Sequence, residues 1–291
     1  MQKVAFIGAG VMGREMIKNF LKHDVEVYFY TRTKEKALDL IDLGAVWCDS
    51  IIECISNAKV VITMIGFPKD VKSVYLGDDG IVKNAENGTY LIDMTTTEPS
   101  LVMEISKEAE KRGLHFMDAP VSGSDVKAAD GTLTIMVGGS NNDFDTCYPL
   151  LKCIGKTIIH EGPVGAGQNT KMANQIAIAG TISGVCEALY YAKKAGLDEN
   201  KTLITISSGA AGSFQMDNVA PKILDDDYEP GFFIKHFIKD MKIASKEANS
   251  NGITLPILEK VLKNYEELEN DGLGDLGIHA LYKFYDTDED K

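Results

Sequence analysis

The sequence predicts an α/β region built on a doubly wound, mostly parallel sheet, followed by an all-α region. Three observations carry this. Through the first half, short runs rich in β-branched residues alternate with helical stretches, the pattern of parallel strands joined by crossover helices. A glycine triplet stands between the first run and the first helical stretch. Beyond residue 167 only helix patterns and turns remain.

Taken in order, the runs at residues 3–7, 25–30, 59–65, 89–93 and 114–118 read as buried strands bounded by turn residues. Two further runs, at 132–137 and 157–160, flank a helix around 142–153. A glycine-rich turn at 161–167 marks a domain boundary, with a first domain at 1–163 and a second at 164–291. The second opens on a long helix, 167–195, crowded with small residues such as Ala173, Ala177, Gly180 and Gly184. Small side chains let helices approach closely, so this helix is expected to be buried. Helices at 198–208, 218–225, 237–251 and 256–270 follow, and the acidic tail 286–291 is expected to fray.

A chain of 291 residues, 44% of them hydrophobic, is ample for a sizeable core. The formal net charge of −13 sets aside nucleic acid and anionic membrane surfaces as partners, while leaving room for a locally positive site that binds a small anion. The sequence has no uncharged apolar run of about 18 residues, and Met1 leads straight into a strand pattern, so a cytoplasmic protein that does not engage the membrane is expected. The five cysteines are scattered without a Cys-x-x-Cys pair and read as reduced thiols; the five histidines are as dispersed, and no metal site is expected.

Gly8-Ala9-Gly10-Val11-Met12-Gly13 follows the first strand and opens a helix running to about His23. In such a motif the first glycine permits the turn, the second lets the backbone approach a pyrophosphate, and the third lets helix and strand touch. Strand, turn and helix in register here identify a Rossmann-type dinucleotide site with Gly8, Gly10, Val11, Met12 and Gly13 on the phosphates. An NAD-selective site places a carboxylate at the tip of the second strand. None lies between Tyr28 and Lys34; Arg32, Thr33 and Lys36 stand there instead, suited to a 2′-phosphate. NADP is therefore expected in preference to NAD.

Four separated motifs carry a family resemblance: residues 8–16, Asp118 through Ser124, Gly165 through Gln175, and Lys239-Asp240. On them the sequence resembles the β-hydroxyacid dehydrogenases, which include 3-hydroxyisobutyrate dehydrogenase, tartronate semialdehyde reductase and the glyoxylate and succinic semialdehyde reductases. It is more distantly similar to 6-phosphogluconate dehydrogenase. The residues of the second motif follow a strand of a parallel sheet, so they should form a loop at its ligand-binding carboxyl edge. A serine hydroxyl beside glycine-freed N–H groups makes an anion nest there. The resemblance assigns the substrate carboxylate to Ser122, Gly123 and Ser124, the last replacing a common glycine. It makes Lys171 the catalytic acid/base. Asn174 and Gln175 lie at i+3 and i+4 on the same helical face, and are expected to project with it toward the cleft and the substrate.

Further positions follow from the resemblance. Ile65 and Gly66 stand where relatives carry Leu-Pro against the cofactor, Asp70 and Thr96 match cofactor-side positions near the nicotinamide, and Lys239 matches a lysine that reaches the cofactor. The implied function is an NAD(P)-dependent oxidoreductase interconverting a small β-hydroxy acid and its semialdehyde. Substrate choice is expected to depend on Ser124, Phe214, Phe232 and Phe237. A catalytically silent dinucleotide-binding module and an imine reductase of similar architecture are the alternatives, and Lys171 argues against both. The Ala/Gly-rich long helix has few ways to be covered within one small domain, so a homodimer or homotetramer is expected.

Overall fold

The computed structural model describes residues 2–286; the tail beyond Asp286 lies outside the described residues. Its strands are β1 (Lys3–Ile7), β2 (Glu26–Tyr30), β3 (Val46–Trp47), β4 (Val60–Thr63), β5 (Tyr90–Asp93), β6 (His115–Asp118), β7 (Val121–Ser122), β8 (Leu133–Gly138) and β9 (Gly155–Gly162). They form one sheet in the order β3-β2-β1-β4-β5-β6-β8-β7, with β9 on β8. From β3 to β6 every pairing is parallel; β8 runs antiparallel to β6 and β7, and β9 parallel to β8.

Helices α1 (Val11–Lys22), α2 (Leu38–Asp42), α3 (Ile51–Ile55), α4 (Pro68–Leu76), α5 (Ile81–Asn84), α6 (Pro99–Glu110), α7 (Asp125–Ala129) and α8 (Asn141–Leu151) connect these strands. Alternation along the strands shows that both faces are covered. Val4 and Phe6 of β1 join one apolar cluster with Ile62 and Ile92, while Ala5 and Ile7 join another with Val61 and Leu91. This is the doubly wound sheet expected from near-continuous apolar strand runs. Strands β3 and β7 are additions to the sequence reading. Each has only two residues, too short to show a period.

The remaining helices are α9 (Ala166–Lys194), α10 (Glu199–Ser207), α11 (Phe214–Asn218), α12 (Ala220–Leu224), α13 (Ile234–Ser250), α14 (Pro256–Asn270) and α15 (Tyr282–Tyr285). No strand follows β9 among the described residues. The helix read at 218–225 is α12, with Pro221 in its first turn, where the missing N–H is harmless, and α11 just before it is an addition to the sequence reading. One cluster fills this region, with Ile182, Val185 and Leu189 of α9, Phe237 and Met241 of α13, and Val261 and Tyr265 of α14.

The chain divides into two compact units, one ending at Lys171 and one beginning at Met172. The division thus falls inside α9 and not in the glycine-rich turn that the sequence marks. The first turn of α9 is hydrogen-bonded into the sheet unit, as described below, so it belongs with that unit. One face of α9 is buried, with Ala179, Ile182, Val185, Leu189 and Ala192 on it, while Ala173, Ala177 and Gly184 are exposed on the other and open space faces Gly180 and Gly184.

Candidate active site

The turn between β1 and α1 is built by its glycines. Gly8 has φ +103°, and a Cβ there would lie 2.2 Å from the Met64 carbonyl oxygen. A Cβ on Gly13 would lie 2.0 Å from the Gly8 carbonyl oxygen, so only glycine allows this helix-to-strand contact. Gly10 faces open space. It is also the N-cap of α1, which has no side-chain cap and no acidic residue in its first turn. The helix start therefore keeps its N–H groups and dipole for an anion, with Val11 exposed and Met12 half-buried beside it. These residues fit a dinucleotide pyrophosphate.

At the tip of β2, Arg32 is 81% exposed and lies 3.9 Å from Asp70. A surface pair of this length is worth little, so the guanidinium is available to a stronger anion. Thr33 precedes a short 3-10 turn without capping it. Arg14 of α1 pairs with Asp39 and donates to the Lys36 carbonyl, which ties this loop to the dinucleotide helix. Asp70, which the sequence reading put near the nicotinamide, stands beside Arg32.

The loop after β6 carries Ser122, Gly123 and Ser124. Gly123 has φ +138°, and a Cβ there would meet Leu133 and Lys127 at 2.9 to 3.0 Å. Ser124 is the N-cap of α7, but its hydroxyl makes no cap bond. Between this loop and the strand ends lies a buried polar network. Thr63 Oγ1 and the Thr95 N–H donate to Asp93 Oδ1 at 2.8 and 3.1 Å, and Thr63 also bonds the Tyr75 hydroxyl at 2.9 Å. The Ile65 N–H donates to Thr95 Oγ1 at 2.9 Å, so Ile65 and Gly66 leave the sheet from an anchored point. Thr96, half-buried, sits between buried Thr95 and Thr97.

The network ends on the start of α9. Asp118 accepts from the Gly165 N–H at Oδ1 and the Gln168 N–H at Oδ2, both at 2.7 Å. Burial pushes its carboxyl up to about 6, against the opposing pull of these N–H groups. The Gln168 side chain donates to the Thr95 carbonyl at 2.7 Å and accepts from the Thr97 N–H at 3.1 Å. Lys171 follows one turn later and is only 7% exposed.

In the second unit, Asn174 donates to Gln175 Oε1 at 2.7 Å and Gln175 donates to Asp240 Oδ2 at 2.6 Å. The ammonium of Lys239 is 3.1 Å from Asp240 Oδ1, close enough for an ion pair though not aligned as a hydrogen bond. Asp240 is buried and Lys239 largely covered, with side chains 3% and 12% exposed.

Known proteins match both units. The family model for the NAD-binding domain of 6-phosphogluconate dehydrogenase covers residues 3–162, and that for the NAD-binding of NADP-dependent 3-hydroxyisobutyrate dehydrogenase covers 165–285. The chain belongs to the 3-hydroxyisobutyrate dehydrogenase family. It is 46% identical over 282 residues to an oxidoreductase of Bacillus subtilis, covering 97% of this chain and 98% of that one. It is 43% identical over 280 residues to a probable 3-hydroxyisobutyrate dehydrogenase-like protein of Arabidopsis thaliana, covering 96% and 84%. The solved 3-hydroxyisobutyrate dehydrogenase of Mycobacterium tuberculosis superposes with a TM-score of 0.89 at 28% identity, covering 99% and 100%. The protein is an NAD(P)-dependent oxidoreductase acting on CH–OH groups.

Within this 3-hydroxyisobutyrate dehydrogenase fold, the glycine turn, the Ser122 loop and Lys171 all belong to the first unit. Gln175 and Phe237 lie in the second unit, with contacts that the sequence did not show. Gln175 is fully buried with its amide engaged at both ends, and Phe237 is core, 5.5 Å from Phe232 and 5.2 Å from Tyr265 between ring centroids. Phe214 is 58% exposed. The residues that sequence reasoning passed over are Asp93, Thr95, Asp118 and Gln168. Asp118 and Gln168 lie inside two of the quoted motifs, and their position next to Ser122 and Lys171 was the available signal.

Proposed function

We propose that this enzyme interconverts a small β-hydroxy acid and its semialdehyde, preferring NADP to NAD, with Lys171 as the acid/base. The observation that carries the reading is a lysine held at 7% exposure in the first turns of α9, in the unit that also holds the Ser122 loop and the dinucleotide turn. Burying an amine with a flexible four-carbon stem is unfavourable unless it serves a purpose. In the direction of reduction the Lys171 ammonium binds the carbonyl oxygen and gives it a proton; in oxidation the neutral amine takes the hydroxyl proton. A bound nicotinamide supplies the hydride at the carbonyl carbon, or accepts it in reverse.

The Ser122 hydroxyl and the backbone opened by Gly123 bind the substrate carboxylate. The Ser124 hydroxyl, not used as a cap, adds a donor on the same loop. Arg32 and Thr33 hold the 2′-phosphate, with the charge-assisted bonds that an NAD ribose lacks. Two relatives support these choices. The matching family model describes an NADP-dependent enzyme, and the Mycobacterium tuberculosis enzyme was solved with L-serine, itself a small β-hydroxy carboxylate. The test is a screen with NADPH and NADH of glyoxylate and of succinic, tartronate and methylmalonate semialdehydes, with a cyclic imine alongside. Turnover of a semialdehyde with NADPH supports the reading; turnover of the imine alone overturns it.

A further inference from the structure

We propose that Asp118 and Gln168 are positioning residues that fix where α9 delivers the Lys171 amine; this rests on the acid/base role given to Lys171 above. A lysine amine sits at the end of a long flexible stem, so its location is set by the backbone it starts from and the walls around it. Here the backbone origin is over-determined. A helix start leaves its first N–H groups without intrahelical partners, and Asp118 takes two of them, from Gly165 and Gln168, at 2.7 Å each. Gln168 then fastens its own side chain to Thr95 and Thr97. Through Thr95 this connects to Ile65 beyond β4 and to Asp93 at the end of β5. The helix start is thus bonded to segments leaving three adjacent strands.

Two glycines remove the remaining slack. A Cβ on Gly138 would stand 2.4 Å from Asp118 Oδ1, and one on Gly167 would stand 2.3 Å from the Met136 carbonyl oxygen. The helix is pressed against the sheet edge with no room to slide. Stability alone asks for less. Helices α8, α10 and α11 are capped locally by Ser140, Asp198 and Ser213. The α9 cap instead comes from a fully buried carboxylate 47 residues away, which burial makes costly to ionise. A buried carboxyl spent on the turn that precedes a buried lysine is the mark of a site that needs a fixed geometry.

The test is a double-mutant cycle on the full-length enzyme with Asp118→Asn, Lys171→Ala and the pair, measuring kcat, NADPH affinity by fluorescence and Tm. Asp118→Asn is expected to lower kcat about tenfold or more with NADPH affinity little changed, since small misplacements of a reacting group cost rate before binding. In the Lys171→Ala background the same substitution is expected to cost less than about twofold, because residues that act through one group are not additive. An equal loss of kcat in both backgrounds overturns the positioning role while leaving Lys171 as the acid/base. Normal turnover in Lys171→Ala alone overturns the acid/base reading itself. Should Asp118→Asn not fold, Gln168→Met carries the same cycle, since it keeps the backbone bond to Asp118 and loses those to Thr95 and Thr97.

Discussion

A helical lysine ordinarily lies in water, where its charge costs nothing and its stem is free. Lys171 and Lys239 depart from that, at 7% and 12% exposure, whereas Arg32 follows it at 81%. These differences set what each substitution should do. Arg32→Ala should raise KM for NADPH about tenfold while moving KM for NADH far less, because the charge-assisted bond exists only with the 2′-phosphate. An equal rise for both cofactors would reduce Arg32 to stacking on adenine. Ser122→Ala should act mainly on substrate KM, a carboxylate contact being present in ground and transition states alike. Individual residues were legible in the sequence wherever a motif had a backbone reason, as at Gly8, Gly13 and Gly123. The partners of Gln175 were not: periodicity puts it on the Lys171 face, but only the fold shows its amide bonded to Asn174 and Asp240.

At the scale of elements, the start of α1 and the start of α9 solve opposite problems. The first is left uncapped around Gly10 to receive a phosphate; the second is filled by Asp118. Gly13→Ala should weaken NADPH binding by at least tenfold and lower stability by about 1–3 kcal/mol, because the new Cβ meets the Gly8 carbonyl and the helix must move. Titration by NADPH fluorescence and urea unfolding measure the two effects. Asp118 brings a pH dependence. Its carboxyl is raised from 3.8 to about 6, mainly by burial and also by the neighbouring Asp93. The fold therefore favours the protonated form. That contribution to stability is complete below the unfolded value and is lost as pH rises through about 6. Compared with Asp118→Asn, the wild type should lose about 2 kcal/mol between about pH 4 and about pH 7. A constant difference in urea-unfolding free energy across that range would contradict it. The strands were legible as near-continuous apolar runs, and α13 and α14 by their apolar period. The cap on α9 was not, since Asp118 and Gly165 are far apart in sequence and nothing local signals their pairing.

At the scale of the molecule, the sheet unit and the helical unit each hold their own core, and the sequence shows the change of character between them. The glycine-rich turn it marks lies where the two family models meet, at 162 and 165, while compactness follows hydrogen bonds that continue into the first turn of α9. No helix among the described residues is long and apolar enough to cross a membrane. The helical unit exposes Tyr191 at 72%, Ile204 at 71% and Ile257 at 66%. Apolar exposure on that scale predicts a homodimer or homotetramer in solution, and light scattering that finds a monomer at micromolar concentration would contradict this. The most direct test of the whole account is single-turnover and steady-state kinetics of Lys171→Ala with an accepted semialdehyde, beside its NADPH affinity. Turnover is expected to fall on the order of a hundredfold or more with NADPH binding nearly unchanged, the scale for loss of a positioned acid. Near-normal turnover with cofactor binding intact would contradict the account and return Lys171 to an ordinary buried helix residue.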